Sequence, residues 1–173
     1  MLPKEYIDDF ENRLRQHISL VIKYGKILAD YLEKIDSKKL PDGSFKSKIL
    51  LNHLDNHDAS KFSKEEREGY IWINAHFNLG IEYPDLSIAL LAEQAWNHHK
   101  SVNDHHPEFW SDCNEMTINV VAHMVSDWKA MEFVNDDSMK LREFWTKVGS
   151  KRYNWDSQHI EWIEDFINVL ANK

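Results

Sequence analysis

Cysteine, glycine and proline are scarce in this chain, and each scarcity excludes a class of protein. The 173 residues include 1 Cys, 5 Gly and 4 Pro. The lone cysteine, Cys113, can form neither an internal disulfide nor a four-cysteine metal site. Few glycines and prolines beside 42% hydrophobic residues argue against a disordered chain. We therefore expect a single domain over residues 1–173 in a reducing, cytoplasmic compartment.

Positive charge and long apolar runs are also lacking. Lys and Arg number 21 against 29 Asp and Glu, a net charge of −8, which disfavours bulk binding to nucleic acid or an anionic membrane. No apolar run approaches the roughly 20 residues of a membrane span, and the first residues are charged rather than signal-like. The absence of a glycine-rich phosphate loop and of a G-x-S-x-G segment argues against P-loop and serine-hydrolase mechanisms.

Apolar residues recur at steps of three or four, which predicts helices, and no segment alternates long enough to predict a strand. Ser63 and Glu66 have capping-box spacing, Asp85 can cap the following helix, and residues 39–44 predict a turn. The helix near residues 115–133 is apolar around most of its circumference and should be central. We predict an all-α bundle of six or seven helices, at about residues 5–35, 46–57, 60 or 63 to 79, 85–99, 115–133, 138–148 and 157–170.

Histidine is abundant, with 10 residues of which eight lie between His53 and His123. His17 falls in the apolar stripe of the first helix, where a polar ring needs a partner. That partner is either a metal ion or a backbone carbonyl or water. His57 and Asp58 are adjacent at a predicted helix end, and a mixed nitrogen and oxygen pair suits Mn, Fe, Co, Ni or Zn better than Ca. His53, one turn earlier, competes for the same role.

Two histidine doublets form the least ordinary feature of the sequence. His98–His99 and His105–His106 lie six residues apart, and their rings would repel one another if protonated. They indicate a metal site, although rings stacked on Trp96 and Trp110 and bonded to the loop backbone would also account for them.

A single carboxylate, Asp127, lies on the otherwise apolar central helix, one turn after His123. Because burial of a lone carboxylate is costly, Asp127 should reach solvent at a cleft, be neutralised by a cation, or pair with a histidine or an indole N–H. A helical bundle is the architecture in which these scattered groups can converge.

The order H…HD…D on an all-α core resembles the HD-domain superfamily of metal-dependent phosphohydrolases over about residues 10–135, with helices 138–171 outside that core. On this resemblance the first histidine is His17, the pair is His57–Asp58 and the last aspartate is Asp127. The segment HDASK is similar to the HD-x-x-K form of two-metal members, in which the lysine, here Lys61, faces substrate phosphate.

The tract HHKSVNDHHPEFW is similar to a small, often phage-associated family with an HHPE-type signature, in which the position of His99 is more typical than that of His98. The two resemblances imply one or two divalent transition-metal ions (Mn, Fe, Co, Ni or Zn). The first ion would be held by His17, His57, Asp58 and Asp127, and Asp58 would bridge to a second held by His99 and either His105 or His106.

The implied activity is hydrolysis of a phosphate ester, with a nucleotide as the substrate class, by metal-activated water. Lys61 and Lys100 would hold phosphate oxygens as point charges. Two alternatives use the same residues: a di-iron oxygenase of the HD type, and a catalytically inactive, metal-stabilised binding protein with its 7 tryptophans as contact surface. No oligomeric state is predicted.

Overall fold

The computed structural model describes residues 2–35, 46–133, 139–171 and 173. Over these ranges the chain is helical and has no strand, so the all-α prediction is confirmed. Three short 3-10 turns follow α2 and α4, at Ala59–Phe62, Pro107–Phe109 and Cys113–Glu115. The α-helices are α1 (Lys4–Lys34), α2 (Ser47–Asp55), α3 (Arg67–Leu79), α4 (Leu86–Val102), α5 (Ile118–Met131), α6 (Leu141–Phe144), α7 (Ser150–Arg152) and α8 (Ser157–Leu170).

Helix α5 is the centre of the bundle, as its sequence predicts. It packs against α1, α2 and α8, and most of its residues are buried on all sides. Helix α1 buries one stripe, from Phe10 through Val21 to Leu32, against α5 and neighbouring helices, and His17 lies within that stripe. The N-terminal helix and the central helix therefore bring His17 and Asp127 to the same interior region.

Two glycines allow the close helix packing that positions the polar residues. A Cβ on Gly25 of α1 would lie 2.4 Å from the side chain of Leu54 in α2. A Cβ on Gly69 of α3 would lie 2.4 Å from the Cβ of Ala95 and 2.7 Å from the backbone oxygen of Leu91 in α4. Real Cβ atoms do not approach other atoms so closely. The packing of α1 on α2 and of α3 on α4 therefore requires glycine at these two positions.

Several predicted boundaries differ from those observed. Helix α2 ends at Asp55 rather than at residue 57, and α3 begins at Arg67 because residues 59–62 form a 3-10 turn. The capping box of Ser63 and Glu66 is absent, since the Glu66 carboxylate bonds to histidines instead. Asp85 does cap α4, by accepting hydrogen bonds from the N–H groups of residues 87 and 88.

The C-terminal part is less regular than its pattern predicts. Helix α6 is short and continues through a π-helical turn at Trp145–Gly149 into α7. The predicted turn at 39–44 and the predicted helix start at 138 lie outside the described residues. Within the described ranges, no helix combines the length and the apolar character needed to cross a lipid bilayer.

Candidate metal centre

Four side chains from three parts of the fold converge on one point. His17 comes from α1, His57 and Asp58 follow α2, and Asp127 comes from α5. The Nε2 atom of His17 lies 3.0 Å from Nε2 of His57 and 3.0 Å from Oδ1 of Asp127. Oδ2 of Asp58 lies 3.6 and 3.5 Å from the same two nitrogens, and His57 Nε2 lies 3.7 Å from Asp127 Oδ1. We call these four atoms the first ligand group.

These separations match the spacing of atoms that share an ion. Nitrogen and oxygen ligands bind a transition metal at about 2.0–2.2 Å, which places neighbouring ligands roughly 3–3.6 Å from each other. The described residues therefore contain a buried group that could hold a metal ion.

The backbone at Asp58 is what directs two neighbouring side chains at this point. Its φ of 59° is left-handed, and it is the one non-glycine residue in the described ranges with a positive φ. A left-handed conformation costs an L-residue about 1–2 kcal/mol, so the surrounding packing must enforce it. His57 and Asp58 are both buried there, between α2 and the 3-10 turn Ala59–Phe62.

The second carboxylate oxygen of Asp58 faces another set of histidines. Oδ1 lies 3.2 Å from Nε2 of His99 and 4.0 Å from Nε2 of His105. The ring of His106 is 4.9 Å from that of His99 and 4.5 Å from that of His105, between centroids. We call Asp58 Oδ1 with His99, His105 and His106 the second ligand group. Asp58 thus lies between the two groups, as a bridging carboxylate would.

Glu66 is a functional candidate that the sequence did not reveal. Its side chain is fully buried, and its two oxygens accept hydrogen bonds from Nδ1 of His98 (2.7 Å) and Nδ1 of His99 (2.9 Å). His98 is therefore bonded to the Glu66 carboxylate and partly exposed, whereas His99 presents its other nitrogen to Asp58. The only sequence signal at Glu66 was its spacing from Ser63, which predicted a helix cap.

Two further histidines lie beside the site. Nδ1 of His57 is 2.9 Å from Nε2 of His123, and Nδ1 of His53 is 3.3 Å from Oδ2 of Asp104. When Nε2 of His57 serves as a ligand, its Nδ1–H donates to His123 Nε2, and the neutral His123 ring then carries its own proton on Nδ1. His123 has no lone pair left for an ion in that state. The groupings of His123 with His105 or with His53 and Asp104 are therefore not metal sites beside the first ligand group.

At the first ligand group, the pKa values favour the protonation states that bind cations. Burial lowers the pKa of His57 to about 4, against the opposing effect of the Asp58 and Asp127 carboxylates. Burial alone would raise the pKa of Asp127, but the hydrogen bond from His17 and the nearby imidazoles hold it well below its usual range. The pKa of Asp58 is held low in the same way by His57 and Lys61 against the effect of burial. Neutral imidazoles and ionised carboxylates are the forms that ligate metals.

At the second ligand group, two buried atoms lack the hydrogen bonds that such atoms normally make. Oδ1 of Asp58 and Nε2 of His105 have no hydrogen-bond partner within the described residues. Leaving a buried polar atom unsatisfied costs about 1–3 kcal/mol, and more for a charged group. A cation between these atoms would remove that cost, so the donor set fits a divalent metal.

A cavity of about 790 Å³ opens onto the first ligand group. Lys61 lines it, with Nζ 2.6 Å from Oδ2 of Asp58 and 4.8 Å from the ring centroid of Tyr70. Lys100 instead lies over Trp96, 5.2 Å from the ring centroid, and is not among the residues described around the cavity. The structure therefore brings Lys61 to the site and does not bring Lys100 there.

The cavity wall beyond Lys61 is rich in aromatic side chains. Its other cationic side chains are paired, Arg13 with Asp9 at 3.0 Å and Arg152 with Glu108 at 2.9 Å. Phe77 is 73% exposed at this wall. The aromatic lining consists of Phe10, Tyr70, Phe77, Tyr83, Trp96, Trp128, Phe144 and Tyr153.

Observed contacts bear on the alternatives left open for single residues. The histidine partner of Asp127 is His17 and not the nearby His123. His106 approaches Trp96 edge-on at 6.3 Å, but the indole N–H of Trp110 bonds to the backbone oxygen of Asp104 rather than stacking on a histidine ring. In the first doublet, both rings bond to Glu66 and His99 also faces Asp58.

A comparison with protein families matches residues 6–172 to a family of unknown function, DUF5662. The chain belongs to this family. No curated protein and no solved structure matches the chain. Both ligand groups, Lys61 and Glu66 lie inside the matched range. Membership assigns no activity, so the function has to be argued from the site.

Proposed function

We propose that this chain is a metal-dependent phosphohydrolase of the HD type that acts on a phosphate ester, with nucleotides as the substrate class. The observation that carries the proposal is the first ligand group, whose atoms lie 3.0 to 3.7 Å apart. It lies at the end of a cavity, beside a lysine. A buried cation site, an adjacent positive charge and room for an organic group are what phosphate-ester hydrolysis requires.

His17, His57, Asp58 and Asp127 would hold one ion, and Asp58 would share a second with His99 and either His105 or His106. A divalent ion in such a site lowers the pKa of coordinated water and offsets negative charge on phosphoryl oxygens. The chain contributes a dry, fixed set of ligands, since His57, Asp58 and His99 are at most 3% exposed. The net negative charge of the protein does not oppose anion binding, because the ions and Lys61 supply the local positive field.

Lys61 would bind a phosphate oxygen. Its ammonium group contacts Asp58 on one side and the Tyr70 ring on another, which holds it at the cavity end of the site. Lysine binds phosphate as a point charge with three donors, so it tolerates changes in the angle of the phosphate as the ester is cleaved. Lys61 is therefore a catalytic residue in the proposal, whereas Lys100, which lies on Trp96, has no observation in its favour.

The rest of the cavity would hold the organic part of the ester. Its aromatic side chains can stack on a nucleobase, which supports the nucleotide class. Both of its arginines are paired with carboxylates, so the distant wall offers no uncompensated positive charge to further phosphates. Nucleoside monophosphates are therefore expected to be better substrates than triphosphates.

The test uses the full chain, stripped with chelator and reloaded with Mn²⁺, Co²⁺ or Fe²⁺. We expect metal-dependent release of phosphate from nucleoside monophosphates or p-nitrophenyl phosphate. Lys61→Ala should lower kcat/KM at least about 10-fold without loss of metal. Lys147→Ala is the matched control, because this exposed lysine pairs with Glu143 in the C-terminal part.

Other results would replace the proposal. Iron-dependent oxygen uptake without phosphate release would favour the di-iron oxygenase alternative. Metal binding that raises Tm but supports neither reaction, with nucleotides failing to bind, would favour the inactive metal-stabilised binding protein.

A further inference from the structure

We infer that Glu66 determines whether this chain binds a second metal ion, by fixing the ring of His99. The inference rests on the metal-binding part of the proposed function and does not need the chain to be a hydrolase. Glu66 precedes α3, contacts α4 and is completely buried, so its carboxylate must be satisfied by protein groups.

The contacts of Glu66 select one form of His99. Oε2 accepts the Nδ1 proton of His99 at 2.9 Å and a second hydrogen bond from the Ser60 hydroxyl at 2.9 Å. With the proton on Nδ1, the lone pair of the neutral ring is on Nε2, the atom that lies 3.2 Å from Asp58 Oδ1. Carboxylates that hold a histidine in this way orient the ring and raise its basicity as a ligand.

The other oxygen of Glu66 explains why only one member of the doublet is available. Oε1 accepts the Nδ1 proton of His98 at 2.7 Å, and the His98 side chain is 38% exposed. Two adjacent histidines thus share one carboxylate, and the buried ring alone faces Asp58. If Glu66 only linked α3 to α4, it would not need to bond the imidazole ring whose other nitrogen faces Asp58.

The test is a titration of the metal-free protein with Co²⁺, in which calorimetry and visible absorption measure the binding. Wild type is expected to bind two ions. Glu66→Gln keeps the side-chain volume but offers a single acceptor oxygen and no charge, so the second Kd should weaken about 10- to 100-fold. Glu66→Leu removes the carboxylate partner of His99 Nδ1 and leaves only the Ser60 hydroxyl and the Asn103 amide nitrogen, both at 3.1 Å, so it should bind one ion only. The first Kd should be unchanged in both variants.

Glu11→Gln is the matched control. Glu11 bonds to Arg67, the residue after Glu66, at 2.7 Å and ties α1 to α3. This variant removes a contact between α1 and α3 next to Glu66 without touching His99, so it should bind both ions. His98→Ala should also bind both ions, since His99 keeps its contact with Glu66.

Three results would overturn the inference: unchanged binding of both ions by Glu66→Leu, loss of the first ion together with the second, or loss of the second ion by His98→Ala. Binding of one ion by the wild type would also overturn it. A wild type that binds two ions but hydrolyses no ester would remove the proposed function and leave this inference standing.

Discussion

The carboxylate of Asp58 has a different environment on each side. On the Oδ2 side, the first ligand group brings together atoms 3.0 to 3.7 Å apart from α1, the end of α2 and α5. On the Oδ1 side, the second ligand group is looser, with His105 at 4.0 Å and only His99 held by a carboxylate. Burial keeps His57 neutral, whereas the pKa of His99 is raised because contacts with Asp58 and Glu66 outweigh the lowering effect of burial. A proton on His99 competes with an ion there.

This difference indicates that the atoms of the first ligand group are already at coordination spacing, whereas those of the second reach it only when an ion binds. Ligands already at coordination spacing lose little freedom when an ion enters, which favours affinity. We therefore expect the first ion to bind more tightly than the second. Substitutions in the two ligand groups should therefore affect the two ions differently.

Removal of the shared carboxylate should abolish metal binding at both ligand groups. Asp58→Ala is expected to lose both ions and to lower any metal-dependent hydrolysis at least about 1000-fold, since the two ligand groups meet only at this residue. Metal content after dialysis is the measurement. Asp55→Asn, an exposed aspartate three residues earlier, should keep full metal content. Retention of both ions by Asp58→Ala would show that Asp58 is not a shared ligand.

Substitution of single histidines should affect one ion at a time. His17→Ala removes a ligand from the first group and should cost the tighter ion, whereas His105→Ala should leave one ion bound with wild-type affinity. Competition with a coloured chelator gives both constants. Equal losses in the two variants would mean that the ions do not occupy separate groups.

Acid should destabilise the metal-free chain through its buried histidines. Burial lowers the pKa of His57 to about 4 and that of His123 to about 3, so the unfolded chain takes up protons first, near pH 6.5. Stability is then fully present above about pH 6.5 and falls toward pH 4, by about 2 kcal/mol per histidine between pH 7 and 5. The pKa of His99 is raised, so its protonation favours the folded chain as the pH falls, but this is one group against two.

The measurement is Tm of stripped protein at pH 7 and 5, where a fall of several degrees is expected. His123→Phe should reduce this pH dependence. A Tm that is higher at pH 5 would show that His99, on the second side, dominates the titration.

Alanine at Gly25 or at Gly69 should have the smallest effect, a modest loss of affinity for one ion in each variant. Gly25→Ala presses on the flexible end of Leu54 and should move α1 relative to α2, at a cost of about 1–3 kcal/mol and a few-fold weaker first ion. Gly69→Ala meets the backbone oxygen of Leu91 and should instead weaken the second ion. Denaturant unfolding and metal titration measure both. Gly80→Ala, at a φ of 68° with open space around it, is the control for backbone strain alone.

Helical periodicity was sufficient to predict the bundle and its central helix, because the apolar stripe of α1 and the apolar circumference of α5 are local features of the sequence. The positions of His17, His57 and Asp127 suggested a meeting point, and the structure brings them together. Their role as ligands stays a prediction.

The orientation of side chains was not readable in the same way. Nothing local distinguishes His98 from His99, since the choice depends on Glu66, 32 residues from His98 in the sequence. The capping-box spacing even assigned Glu66 to a different partner. The left-handed backbone of Asp58 is likewise imposed by packing around it and carries no signature of its own.

Because its ligand atoms belong to residues as far apart as 17 and 127, an ion in the first group would also act as a cross-link within the chain. Closing a long loop removes entropy from the unfolded chain, and any ligand specific to the folded state shifts the unfolding equilibrium by mass action. Metal supply in the cell would then also govern how long the protein survives proteases.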